Sequence, residues 1–210
     1  MIVLLDKPLE LAKERQIVVY LNGEKRYFEC TPSDLEDLIV GHLVSEGLVG
    51  DHRSIKIEQK SPETFYVEFQ ARYEEQKTKL TAKKKYSVEE LRRYLSLLDI
   101  EEYKKTHGYH VAAVIGEKLH LRYDVGRHNA VEKAIGSAYL NNEDPEGCFL
   151  VLSGRITTSI TRKCFNAKIP LIVSKAAIVD SAIEFCEKKS LSAISFLSNV
   201  AVIGSAIEIV

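Results

Sequence analysis

The 210-residue chain has no excess of charge and no long apolar run. Its 29 basic and 30 acidic residues leave a formal net charge of −1, so we expect no general attraction to nucleic acid or to a membrane surface. No apolar segment has the length that crosses a bilayer, and charged residues occur too early in the chain for a secretory signal peptide. These features predict a cytoplasmic protein.

Cysteine is sparse, and the common catalytic signatures are missing. The four cysteines form no Cys-x-x-Cys pair, which argues against a disulfide framework and against a zinc site. The chain also lacks the Gly-x-Ser-x-Gly elbow of hydrolases, the phosphate loop, the dinucleotide fingerprint and the Pro-Cys-x-x-Cys of zinc deaminases. Its length and its hydrophobic content of 45% are those of a protein with a packed core.

A polar turn occupies residues 124–129, between an alternating strand pattern and apolar residues at helical spacing. The free N–H groups at a helix start attract anions, and a glycine there lets the backbone approach a ligand. The turn consists of Asp124, Val125, Gly126, Arg127, His128 and Asn129. For this turn alone a second interpretation stays open, in which Asp124 or Asn129 only caps a helix and the charges are solvated.

A second polar turn follows the apolar run at residues 148–152 and precedes another helical pattern. Open α/β sheets bind ligands at the carboxyl ends of their strands, so two such turns predict two phosphate-sized subsites on one sheet edge. We expect Lys133 to face this site, and Asp124 to accept hydrogen bonds from Arg127 or His128. The second turn contributes Ser153, Gly154 and Arg155.

A strongly charged segment that ends near residue 85 separates two parts of the chain with different predicted secondary structure. Residues 1–85 predict a smaller β-rich part, with a hairpin at Asn22-Gly23 and a helix capped by Thr31. Residues 86–210 open with a capping box at Ser87 and then alternate strands with helices. This alternation predicts an α/β core domain with a mostly parallel sheet and helices on both faces.

Two other chemistries use residues of the same chain. His42 and Glu46 lie four apart on a predicted helix, a spacing that suits a metal site and equally a surface hydrogen bond. A hydrolase would combine His128 and Asp124 with a nearby serine, although in the competing interpretation Ser153 caps the following helix. The serines that follow predicted strands are Ser153 and Ser174.

Residues 124–136, Asp-Val-Gly-Arg-His-Asn-Ala-Val-Glu-Lys-Ala-Ile-Gly, resemble the signature of the FdhD family, the formate dehydrogenase accessory sulfur-carrier proteins. Further blocks that look like those of the family occur in the same order, at residues 21–23, 31–32, 41–47, 106–113, 153–155, 163 and 169–170. The resemblance implies an α+β chain that dimerises and contains a cytidine-deaminase-like α/β core without its zinc.

The resemblance also implies a role in molybdenum cofactor biosynthesis and formate dehydrogenase maturation. Family members take sulfur from a cysteine desulfurase and pass it to the molybdopterin guanine dinucleotide cofactor (Mo-bis-MGD). The implied partners are a cysteine desulfurase and apo formate dehydrogenase or another molybdenum or tungsten enzyme. The implied ligand is this cofactor or a guanine nucleotide. Residues expected to join the two turns in binding it are Thr106, His110, Phe196, Leu197, Ser198, Asn199, Val200 and Ala201.

The chain departs from the family at the sulfur-carrying loop. The family's Cys-x-x-Cys loop corresponds to residues 73–103, which contain no cysteine. Cys148, Cys164 and Cys186 lie in apolar or helical patterns typical of core residues, which leaves Cys30 as the candidate exposed thiol. Two functions therefore stay open. One is a sulfurtransferase that uses Cys30 or a partner's cysteine, and the other is a non-catalytic chaperone of the cofactor or of an apo-enzyme.

Overall fold

Two β-sheets and six α-helices make up the part of the chain that the structure, a computed structural model, describes: residues 9–72 and 79–207. The first sheet has the order β2-β1-β4-β3. The predicted hairpin is confirmed, because Asn22 and Gly23 both have positive φ and join β1 to β2. The strands are β1 Arg15–Leu21, β2 Glu24–Cys30, β3 Lys56–Ser61 and β4 Thr64–Glu68.

The second sheet is mixed. Its six strands have the order β10-β9-β8-β7-β5-β6, and only the pairs β7–β8 and β8–β9 are parallel. The α/β fold class is confirmed, but parallel pairs are the minority because two strand pairs are joined by turns too short for a crossover. The strands are β5 His110–Ile115, β6 Leu119–Asp124, β7 Phe149–Leu152, β8 Leu171–Ser174, β9 Ser192–Ser195 and β10 Val200–Val202.

Helices cover both faces of the second sheet, as predicted. Alternate strand residues point to opposite faces, so Ala112 and Val114 pack with the long helices while Val111 packs with Leu91 and Leu98. One face carries α1 Leu35–Ser45, α4 Arg127–Leu140, α5 Thr158–Asn166 and α6 Asp180–Lys189. The other carries α2 Val88–Arg92, a 3₁₀ helix at Arg93–Leu98 and α3 Glu101–Thr106.

Helix α1 crosses α4 at two glycines. A Cβ atom on Gly41 would lie 1.7 Å from the carbonyl oxygen of Glu132, and one on Gly136 would lie 1.9 Å from that of Asp37. Only glycine permits this approach. The crossing joins a helix of residues 1–85 to the core of residues 86–210, and the division into two domains stays a prediction. In the described ranges, no helix combines the length and apolarity needed to cross a membrane.

The N-terminal end of α1 differs from the prediction. Thr31 does not cap the helix, which begins four residues later with Asp34 at the N-cap and at a φ of 50°. Thr31 is buried, and its Oγ1 accepts a hydrogen bond from the backbone N–H of Val125. The hydroxyl is therefore used by the polar turn, 94 residues further along the chain. At the other predicted cap, Ser87 accepts from the N–H of Glu90 at the start of α2, as expected.

Candidate functional site

Four strand ends and two strand starts meet at a single edge of the second sheet. His110 pairs with Asp124, and Ser195 pairs with both Ser174 and Val200. Since Ser174 also pairs with Leu152, the ends of β6, β7, β8 and β9 lie level with the starts of β5 and β10. We call this the polar edge. It comprises residues 110, 124–129, 153–155, 174–178 and 196–199. The sequence correctly predicted that both polar turns lie on one edge.

The two polar turns are in direct contact through Gly154. A Cβ atom on Gly154 would lie 3.3 Å from Cβ of Arg127 and 3.7 Å from Nδ1 of His110. Three residues from three separate elements therefore pack together at the polar edge. Because a side chain at position 154 would push against Arg127, the glycine lets the Arg127 side chain lie over the end of β7.

The Arg127 guanidinium is the most unusual group of the polar edge. Its Nε is buried and has no hydrogen-bond partner among the described residues. A buried donor without a partner costs about 1–3 kcal/mol, so such groups are rare outside functional sites. Arg127 is also the first residue of α4, where free backbone N–H groups favour an anion. Arg155 in the second turn is exposed and, like Arg127, lies outside the ion pairs of the described chain.

Both histidines of the polar edge are held towards their neutral form. Burial and the nearby Arg127 charge lower the pKa of His110. Burial, Arg127 and Lys163 lower the pKa of His128, whose Nε2 lies 2.7 Å from Oγ of Ser159. At neutral pH they therefore act as hydrogen-bonding groups, and the positive charge of the turns comes from the arginines.

The predicted roles of Asp124 and Lys133 are wrong. Asp124 Oδ2 lies 2.7 Å from Nζ of Lys133, and both side chains are fully buried. Lys133 therefore points into the protein and away from a ligand at the edge. Asp124 orients neither Arg127 nor His128, because its carboxylate faces inward at the end of β6.

The Asp124 carboxylate organises the backbone of the turn. It accepts hydrogen bonds from the N–H groups of Thr31 and Gly126, at 3.0 and 2.8 Å, and from Nδ2 of Asn129 at 3.0 Å. Asn129 also donates to the carbonyl of Glu29 at 2.8 Å. These contacts fix the first polar turn against the end of β2. In this arrangement the side chains of Asp124 and Asn129 hold the turn in place through contacts within the protein.

The serines at the strand ends hold backbone and do not form a hydrolase triad. Ser153 Oγ accepts from the N–H of Val111 at 2.9 Å, and Ser174 Oγ donates to the carbonyl of Gly154 at 2.7 Å. Neither of these serines is the hydrogen-bond partner of His128, which pairs with Ser159. Ser153 does not cap α5 either, because that helix begins at Thr158, after the N-cap Thr157.

The last predicted segment is divided between the polar edge and a strand. Residues 196–199 form the turn after β9, where Ser198 Oγ accepts from the N–H of Ile178 at 3.2 Å. Leu197 in this turn is 71% exposed. Val200 begins β10 and pairs with Ser195 at the edge, whereas the next residue, Ala201, pairs with Ile194, away from the edge. Thr106 closes α3 and uses its hydroxyl locally, donating to the carbonyl of Glu102.

All four cysteines are buried, which corrects the expectation that Cys30 is an exposed thiol. Cys30 ends β2 and faces the core between the sheet and the long helices. Burial, assisted by the charge of Asp124, raises the pKa of Cys30 to about 12. Burial also raises the pKa of Cys148 and Cys186 to about 12 and that of Cys164 still further. Sulfur chemistry needs a reachable thiolate, and these positions do not supply one.

A partly buried ionic cluster joins α1, α4 and α5, with Glu132 buried and Glu46 exposed. His42 Nδ1 lies 3.1 Å from Oε1 of Glu132, and Lys163 Nζ lies 2.6 Å from the same oxygen and also contacts Glu46. The ligand atoms of His42, Glu46 and Glu132 lie within 4.8 Å of one another, as a metal site requires. The Lys163 ammonium already supplies a positive charge there, so the cluster is a complete ionic network.

Sequence reasoning overlooked Glu132 and Arg92. Burial opposes the ionisation of Glu132, but the hydrogen bond with His42 and the charge of Lys163 outweigh it and lower the pKa of Glu132. Glu132 lies four residues after His128, a spacing that places both side chains on one face of a helix and could have pointed to Glu132. Arg92 lies 4.3 Å from the ring centroid of Phe196, a contact between residues 104 positions apart that no local pattern reveals.

Three comparisons with known proteins agree with this architecture. Residues 12–91 and 74–203 match the model of the FdhD/NarQ family. Protein FdhD of Methanocaldococcus jannaschii is 28% identical over 194 residues, which cover 90% of this chain and 85% of that protein. Sulfur carrier protein FdhD of Bacillus subtilis is 28% identical over 228 residues, with the same two coverages of 90% and 85%.

A solved structure has the same fold. It is a crystal structure of a candidate formate dehydrogenase accessory protein from Desulfotalea psychrophila. The two structures align with a TM-score of 0.76 and 22% sequence identity, covering 89% of this chain and 83% of the other. At this identity the likeness supports the fold alone.

Proposed function

Because the chain belongs to the FdhD/NarQ family, we propose that it acts in formate dehydrogenase maturation by binding molybdopterin guanine dinucleotide, or a related guanine nucleotide, at the polar edge. One observation carries the proposal. The Nε of Arg127 is buried at the start of α4 without a partner in the described chain, beside the glycine at position 154. A diphosphate oxygen is the acceptor that this donor lacks.

The surrounding groups suit a polyanion. Arg155 adds a second guanidinium from the neighbouring turn, and His110 and His128 add neutral hydrogen-bonding nitrogens. Backbone N–H groups of the first turn of α4 add further donors. The chain has a net charge of −1, so the attraction is local to this edge. Thr106, Ala201 and Lys133 are left out of the proposed contact set, because their side chains or their backbone are engaged elsewhere. Val200 stays in the set, since it begins β10 at the edge.

The burial of all four cysteines favours a role in cofactor binding over a role as a sulfur carrier. Relatives are named sulfur carrier proteins, but the cysteines here are buried and their pKa values are raised. A persulfide on Cys30 would require the end of β2 to open. We therefore favour a chaperone that presents the cofactor while a cysteine of another protein delivers the sulfur. The partners that fit this role are a cysteine desulfurase and apo formate dehydrogenase or another molybdenum or tungsten enzyme, with the chain acting as a cytoplasmic homodimer.

Calorimetric titration of the full chain with guanosine diphosphate tests the proposal. We expect Arg127→Ala and Arg155→Ala each to weaken binding about tenfold or more, the usual effect of losing a charge-assisted hydrogen bond. Arg162→Ala on α5 is the matched control, since Arg162 is exposed and carries the same charge. Unchanged affinity in both site variants, or an equal loss in the control, contradicts the assignment.

A further inference from the structure

The His110 imidazole lies beside Arg127 at the polar edge. A Cβ atom on Gly154 would lie 3.7 Å from Nδ1 of His110 and 3.3 Å from Cβ of Arg127, so the two side chains approach one point. His110 begins β5 and pairs with Asp124 at the end of β6. Residues that pair across two strands share one face of the sheet, and Asp124 contacts Lys133 of α4, so the imidazole lies on the face that α4 covers. His110 and Arg127 therefore form one cluster at the start of α4.

The protein leaves this imidazole without a counter-ion of its own. His110 is half-buried, and its ring nitrogens have no hydrogen-bond partner among the described residues. Arg127 on α4 disfavours the protonated ring, whereas Asp124 on β6 favours it more weakly, since Lys133 already neutralises that carboxylate. The end of β7 adds no charge before the exposed Arg155. Burial and Arg127 together therefore hold the pKa of His110 below its ordinary value in the free protein.

An anion bound at Arg127 reverses this balance. Its negative charge pairs with the guanidinium and cancels the repulsion that keeps the imidazole neutral. Phosphate oxygens are also hydrogen-bond acceptors, to which an imidazolium presents two N–H donors and a neutral imidazole only one. Because the bound anion favours the charged ring, the pKa of His110 is higher in the complex than in the free protein. Binding is then accompanied by proton uptake in the pH range between the two values.

We propose that the polar edge binds its phosphorylated ligand together with a proton, and that His110 takes up this proton. The inference rests on the proposed function, since it requires the phosphates to bind at Arg127. In the free protein the arginines supply the positive charge of the two turns, and His110 adds a further charge only when the anion is present. The site therefore holds its ligand more tightly as the pH falls and releases it more readily as the pH rises.

The test is calorimetric titration of the full chain with guanosine diphosphate at pH 7 in two buffers of different ionisation enthalpy. The difference between the two binding heats gives the number of protons taken up. We expect the wild type to take up a fraction of one proton per nucleotide and His110→Gln to lose most of that uptake. Between pH 8 and pH 6, wild-type affinity should rise about threefold or more relative to His110→Gln. The phosphate itself titrates near pH 6, but this affects both proteins alike.

Three further variants assign the proton to one histidine. His52→Gln is the matched control, because His52 is a partly buried histidine outside the polar edge and burial also lowers its pKa; proton uptake should be unchanged. His110→Asn is a second neutral variant and should lose the uptake as His110→Gln does.

Proton uptake that is lost in His128→Gln and retained in His110→Gln would overturn the assignment to His110. Binding without proton uptake by the wild type would also overturn this inference, and would leave the phosphate site standing. A wild type that does not bind guanosine diphosphate overturns the proposed function as well.

Discussion

Lys133 Nζ and Asp124 Oδ2 lie 2.7 Å apart, and neither side chain is exposed to solvent. Lys133 also donates to the carbonyl of Thr31 at 2.9 Å, so the pair joins α4, the end of β6 and the chain after β2. Arg127 projects from the turn that this pair holds. The buried ion pair therefore has a structural role, and in the function that we propose the neighbouring Arg127 has the binding role.

Removing one partner of this pair should destabilise the protein strongly. We expect Lys133→Met to lower the free energy of unfolding by about 3–5 kcal/mol, because it leaves the Asp124 carboxylate buried without its counter-ion. Urea denaturation monitored by circular dichroism measures the change. As a control, Lys104→Ala breaks an exposed ion pair with Glu101 and should cost about 1 kcal/mol or less. A loss of similar size in the two variants would refute the structural role of the pair.

Gly154→Ala should weaken nucleotide binding more than it weakens the fold. The added Cβ lies 3.3 Å from Cβ of Arg127, so the arginine must shift by a few tenths of an ångström. We expect severalfold weaker guanosine diphosphate binding by calorimetry, with unfolding changed by about 1 kcal/mol. Gly50→Ala is the matched control, since the nearest atom to its added Cβ lies 3.9 Å away. Wild-type affinity in Gly154→Ala would show that the close contact between Gly154 and Arg127 is not needed for nucleotide binding.

The native thiols should resist alkylation. With pKa values of about 12 for Cys30, Cys148 and Cys186, only about one thiol in ten thousand is ionised at pH 8. Iodoacetamide at pH 8 should therefore add almost no mass to the folded chain within an hour, as measured by intact-mass spectrometry. In 8 M urea all four cysteines should react. Fast labelling of a single cysteine in the folded protein would restore the sulfurtransferase alternative.

The cluster around Glu132 should contribute stability that disappears in acid. The pKa of Glu132 is lowered in the folded protein relative to its ordinary value of 4.5. Its contribution is therefore fully present above about pH 4.5 and is lost as the pH falls through the lower, folded-state pKa. The difference in unfolding free energy between wild type and Glu132→Gln should be largest near neutral pH and shrink below pH 4. A difference that stays constant down to pH 3 would contradict this linkage.

Local sequence signals predicted the elements, and long-range contacts decided the roles of side chains. The Asn22-Gly23 hairpin, the Ser87 cap and the helix start after Gly126 each depend on a few adjacent residues, and all three were predicted. Thr31 was assigned to a helix cap because its partner Val125 is distant in the chain. Hydrophobic periodicity and secondary-structure propensity depend on neighbouring residues and do not predict contacts between distant ones.

The same limit applies to the candidate site. Each polar turn follows a predicted strand and precedes a predicted helix, so the placement of both turns on one sheet edge was predictable. The strand order and the antiparallel pairing of β5 with β7 were not predicted. The burial of Cys30 and Lys133 was not predictable, because it depends on how α1 and α4 cross at Gly41 and Gly136. The contact of Arg92 with Phe196 was not predictable either, because Arg92 comes from a helix on the other face of the sheet.

A crystal structure of the full chain with guanosine diphosphate tests the central claim most directly. The account predicts a diphosphate oxygen about 3 Å from the Nε of Arg127, so that the buried donor gains the partner it lacks. Arg155 and the first N–H groups of α4 should contact the same diphosphate. A nucleotide bound away from the polar edge, with the Nε of Arg127 still unpaired, would contradict it.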